Sequence, residues 1–106
     1  MSTTSPAKTL TDLSLGIPIG IASKVILDII YGASGTESYV EVKSKLTGSI
    51  TNCCKVEAST SGESLEYRYG QITLYSDTSG NIQYMTTAGT SENLSINLSY
   101  YIDNRN

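Results

Sequence analysis

Apolar and polar residues alternate along most of this chain with a period of two. The alternation is strictest near the start. Leu13, Leu15, Ile17, Ile19 and Ile21 occupy every odd position, and Ser14, Gly16, Pro18 and Gly20 the even ones between them. A period of two places one set of side chains on one face of a strand. The pattern predicts a strand over residues 13–22, preceded by a polar, flexible arm over residues 1–12. Pro18 lacks an N–H and restricts such a strand to an edge.

Residues 24–31, KVILDIIY, are apolar on both parities, which predicts a strand covered on both faces. Its β-branched residues favour strand over helix. GASGT then breaks the chain. In SYVEVKSKL, Val40, Val42 and Leu46 oppose Tyr39, Glu41, Lys43 and Lys45. In SITNCCKVEAS, the parity of Ile50 and Val56 turns Asn52 and Cys54 inward and Thr51, Cys53 and Lys55 outward.

TSGE reads as a turn. In SLEYRYGQITLYS the apolar parity changes from Leu65, Tyr67 and Tyr69 to Ile72 and Leu74. A strand absorbs such a change through an extra residue, so a bulge is expected at Gly70. DTSGN makes a hairpin turn into IQYMT, with Ile82 and Tyr84 inward. AGTSE turns again. The final strand is expected to face Leu94, Ile96, Leu98, Tyr100 and Ile102 inward and Ser95, Asn97, Ser99 and Tyr101 outward. About seven strands at near-regular spacing define an all-β fold, a single antiparallel β-sandwich or jelly roll over residues 13–106.

Composition narrows the chemistry. The 106 residues contain no His, Trp or Phe, and all eight aromatics are Tyr. Ser and Thr make up roughly a quarter of the chain, well above average usage. Without His, the usual general base, pH switch and neutral metal ligand are missing. The net charge is −3, and Lys43 and Lys45 sit beside Glu41, so no basic footprint for nucleic acid is present. No window reads as a membrane span, because Pro18, Lys24 and Asp28 interrupt the most apolar one. No secretory signal is visible in the first dozen residues.

Individual candidates are few. Cys53 and Cys54 are expected on opposite faces of a strand, one buried and one exposed, with Cys53 available for a disulfide between subunits. Two adjacent thiols without His do not compose a zinc site, and Cys53 has no His to activate it. Asp77 opens a calcium-like spacing, but position twelve is Ala88, so a turn is the simpler reading. Asn93 and Asn97 head glycosylation acceptor patterns, leaving modification by or contact with glycan open. Glu63, Glu66 and Asp77 read as solvated charges rather than an acid–base pair. The tyrosines expected outward, Tyr39, Tyr75 and Tyr101, are candidate contact residues. No catalytic residue, cofactor or metal is expected.

The run Leu13, Leu15, Ile17, Ile19 and Ile21 resembles the donor strands of pilus- and fibre-type subunits, which complete a neighbour's β-sandwich. The resemblance implies a non-enzymatic structural subunit that assembles with copies of itself through those five residues, in a fibre or on a virion or cell surface. The alternative expectation is a small lectin-like or inhibitor binding module that uses its loops and exposed Tyr.

Overall fold

The strand-rich pattern folds as a β-sandwich in the computed structural model, which describes residues 4–34, 37–56, 66–87 and 91–102. Seven strands are present: β1 (Thr11–Ser14), β2 (Lys24–Ala33), β3 (Ser38–Lys43), β4 (Ile50–Val56), β5 (Glu66–Tyr75), β6 (Asn81–Thr87) and β7 (Glu92–Ile102). One sheet has the order β1-β6-β3-β4 and the other β5-β2-β7, all neighbours antiparallel. Leu65, Glu63 and the TSGE turn lie outside the described residues, as do residues 88–90 of the second turn.

The core forms where the inner faces meet. Val25, Leu27, Ile29, Tyr31 and Ala33 alternate along β2 and are fully buried. Val40 and Val42 of β3 and Ile82 and Tyr84 of β6 face them from the other sheet. The even positions of β2 lie on the outer face. Ile26 there is nonetheless buried, flanked across the strands by Thr73 and Tyr100. Neighbouring side chains on the same sheet therefore cover the second apolar face of this strand.

Side-chain parity departs from the sequence reading at three places, and register explains each. Gly70 carries no bulge: β5 pairs with β2 in unbroken register from Tyr75 to Glu66. Gly70 points to the core side opposite Ile29, so Tyr67 and Tyr69 lie on the outer face. The β2–β7 register shifts between Ile26 and Leu27, which pair with Tyr100 and Leu98. Ser99 is the extra residue. Beyond it Tyr100 and Ile102 turn outward, while Tyr101 takes the core-side parity opposite Val25. The third shift lies in β4, where Ser38 pairs with Val56 but Val40 with Cys53. Cys54 there has φ of 58°, in the left-handed region. The bulge turns Cys53 to the Val40 side and leaves Ile50 exposed.

The N-terminal strand is also shorter and better anchored than its alternation implies. Only Thr11–Ser14 pair as strand, with β6 of the same chain, and they occupy a sheet edge. Residues 15–22 are irregular because Gly16 and Gly20 take φ of 72° and 96°. Pro18 lies in this irregular stretch rather than within the strand.

Candidate functional site

The two sheets meet differently along their two long sides. On one side β4 lies against β5, and the missing side chain of Gly70 admits Cys53 and Cys54. Ser44 Oγ adds a hydrogen bond to the Tyr75 carbonyl at 2.8 Å. On the other side, the edges of β1 and β7 leave a seam that the N-terminal residues span.

The span is built from backbone groups and two side-chain hydroxyls. Thr4 N donates to Leu94 O at 2.9 Å, and Ile96 N donates to Thr4 Oγ1 at 3.1 Å, tying the chain to β7. Three residues later Thr86 N donates to Ala7 O at 2.7 Å, tying it to β6. Tyr84 OH donates to Ser5 O at 2.7 Å between these points. Residues 4–8, expected as part of a flexible arm, therefore lie against both sheets.

A buried polar cluster fastens the crossing. Glu92 has a side chain only 6% exposed and is ion-paired with Lys8. Tyr31 OH donates to Glu92 Oε1 at 3.0 Å and Thr86 Oγ1 to Glu92 Oε2 at 2.9 Å. A carboxylate held this far from water needs such partners, because an unpaired buried charge is costly. Burial pushes the Tyr31 hydroxyl up to about 12. Burial likewise raises the Tyr84 hydroxyl. The cluster joins four chain segments, and only this three-dimensional arrangement reveals Glu92 as its centre; Tyr31 and Thr86 carry no sequence signal for it.

The five alternating aliphatics divide. Ile17 is buried and Leu13 and Leu15 pack partly against the core, whereas Ile19 is 71% exposed and Ile21 half-buried. Beside them the seam holds a cavity of about 360 Å³, with Leu13, Leu15, Tyr84, Ile96 and Leu98 among its walls. Asp12 Oδ1 accepts from Gln83 Nε2 at 3.1 Å, and Asp12 pairs with Lys45 at 3.3 Å. Lys45 also reaches Asp77 at 3.7 Å. Leu15 N donates to Gly80 O at 3.0 Å and Gly20 N to Thr78 O at 2.7 Å. These bonds lay the irregular stretch along the β5–β6 turn.

Other expected site residues are dispersed. Tyr39 is half-buried on β3, beside a cavity that also contains Cys53 and Cys54. Tyr75 and Tyr101 are partly exposed at one end of the β5-β2-β7 sheet. Tyr75, but not Tyr101, shares the outer face of that sheet with Tyr67, Tyr69 and Tyr100, the last three each more than half exposed. Tyr69 OH donates to Asp28 Oδ1 at 3.1 Å, which raises its hydroxyl through the neighbouring carboxylate. Glu66 pairs with Arg68 at 3.5 Å. Asp77 Oδ1 accepts from Ser79 N at 3.0 Å and Asn81 N at 2.9 Å, the arrangement of a side-chain-capped turn. Asn93 and Asn97 both lie on the outer face of β7; Asn93 Nδ2 donates to Tyr67 OH at 2.9 Å.

Among the described residues no three His, Cys, Asp or Glu side chains are grouped to hold a metal ion. Nor is any helix among them long and apolar enough to cross a membrane. The architecture defines an all-β sandwich protein. No protein-family model matches the chain, and no curated protein matches it in sequence.

Proposed function

We propose that the chain is a non-enzymatic structural subunit that assembles with copies of itself by exchanging its N-terminal segment between neighbouring sandwiches. The assembly is a fibre or a virion- or cell-surface layer. One observation carries this reading: residues 4–15 seal a seam between two sheet edges and are joined to β2 through the short irregular stretch of residues 16–23. Leu13 and Leu15 enter the neighbour's seam as they enter their own. Exchange then recovers the same ladder and the same apolar burial, so connector strain and concentration set the balance. Fully burying one such aliphatic side chain is worth about 1.5–3 kcal/mol. A segment with several of them binds only where a matching groove exists.

Light scattering on size-separated protein, over a range of concentrations, tests the reading. The intact chain is expected to form species larger than a monomer. Deleting Pro18, Ile19 and Gly20 shortens the connector, obstructs folding back and is expected to shift the population further toward oligomers. Monomers at every concentration for both chains would refute exchange. That outcome favours the second reading, a monomeric binding module, which rests on the exposed Tyr67, Tyr69, Tyr75 and Tyr100 sharing one sheet face.

A further inference from the structure

We propose that Cys53 and Cys54 form an oxidisable vicinal dithiol, a modification site that closes into a disulfide within the chain on reaction with a small-molecule disulfide. Adjacent residues of a regular strand point to opposite faces and cannot meet. Here the β4 bulge, with Cys54 at φ 58°, brings the two sulfurs to 2.8 Å on one side of the strand. An S–S bond is about 2.05 Å long, so the approach left to make is under about 1 Å.

The surroundings fit this chemistry. Gly70 faces the pair across the β4–β5 contact; a Cβ there would overlap Cys53 Sγ and lie 3.1 Å from Cys54 Sγ. The absent side chain is what lets both thiols occupy this side. A cavity of about 370 Å³ beside them, lined also by Glu37, Tyr39, Asn52 and Lys55, admits a reagent. The thiols are chemically unequal. The hydrogen bond from Cys54 lowers Cys53 below an ordinary thiol, and the same interaction together with burial raises Cys54. Cys53 is therefore the attacking thiolate and Cys54 the resolving thiol.

The steps balance. Cys53 thiolate attacks one sulfur of a disulfide RSSR, forming Cys53–S–SR and releasing RS⁻. Cys54 then loses its proton and attacks Cys53 Sγ, forming the Cys53–Cys54 bond and expelling the second RS⁻. Both thiolates take up protons as 2 RSH. The two cysteines are oxidised by two electrons and the small disulfide is reduced by two. Neighbouring Cα atoms lie about 3.8 Å apart, closer than the roughly 4.4–6.8 Å usual for disulfides. A ring this small reopens readily in dithiol reductant.

Oxidised glutathione added to the reduced full chain provides the test, with acid quenching and intact-mass measurement. The expected product is a monomer lighter by two hydrogens, with no alkylatable thiol and two glutathiones released per chain. Cys54→Ser is expected to stop with one glutathione on Cys53. Cys53→Ser is expected to react more slowly than Cys54→Ser. A stable glutathione adduct on the wild-type chain overturns the proposal. So does a disulfide-linked dimer as the main product, which is the outcome that a Cys53 crosslink between subunits requires.

Discussion

Gly70→Ala isolates the contact between β4 and β5. The added methyl would overlap Cys53 Sγ and press on Cys54 Sγ at 3.1 Å. Neither sulfur ends a long flexible chain. Each moves only by rotation about one bond or by shifting the bulged backbone, and rotation of Cys53 breaks the 2.8 Å sulfur contact. Overpacking of this kind costs about 1–3 kcal/mol. Replacing glycine at an ordinary backbone angle returns about 0.4–1 kcal/mol by restricting the unfolded chain. The expected net effect is therefore a loss of between about 0 and 2.6 kcal/mol.

Cys53→Ala removes the overlapping sulfur. In that background Gly70→Ala should be neutral, or stabilising by up to about 1 kcal/mol. The difference between the two backgrounds is a coupling of at least about 1 kcal/mol. Urea unfolding of the four proteins under reductant, followed by tyrosine fluorescence, measures it. Equal costs of Gly70→Ala in the two backgrounds would mean that the sulfur is not what the glycine accommodates. A Gly70→Ala that is stabilising in the wild-type background would refute the close approach itself.

The alternating N-terminal aliphatics should behave unequally. Ile17→Ala is expected to cost about 2–5 kcal/mol, while Ile19→Ser stays within about 0.5 kcal/mol; thermal unfolding of both variants checks the contrast. Asp77→Ala removes the side-chain acceptor of two backbone N–H groups in a partly exposed turn and should cost about 0.5–1.5 kcal/mol by denaturant midpoint. Tyr31 favours its neutral form in the folded chain, with its hydroxyl raised from 10.0 to about 12. Its contribution is complete below pH 10 and is lost as pH rises toward 12, by about 2 kcal/mol. Tyr31→Phe should remove that part of the slope in unfolding measured across this range; an unchanged slope refutes the assignment.

The sandwich was legible because its commonest signal is local. Val40 and Val42, Ile82 and Tyr84, and Leu94, Ile96 and Leu98 alternate without interruption, and each set sits where its period places it. Inward and outward faces failed at Cys54 and Ser99 because a bulge is a property of a strand pair. An extra residue becomes visible only against its partner's count, and neither position carries a residue that demands one. Gly70 was conspicuous for the opposite reason. A missing side chain in an apolar alternation signals either an irregular backbone or a close neighbour, and only the position of Cys53 decides between them. The N-terminal segment posed a similar ambiguity. Gly16 and Gly20 read as small neighbours of aliphatic residues, but they serve as left-handed turning points. The Glu92 cluster was invisible because its members are far apart in the chain.

The unequal sides of the sandwich have a mechanical consequence. The side at β4 and β5 works as a spine, clamped by interlocking sulfur and glycine and by the Ser44 bond. The side at β1 and β7 works as a clasp, closed by backbone bonds from Thr4 and Ala7 and by a lysine laid over Glu92. A book opens at its clasp. Amide protons of β1 and the exposed edge of β7 should exchange with solvent well before those of β2. The molecule can thus loosen along one margin while the other keeps its two covers in register.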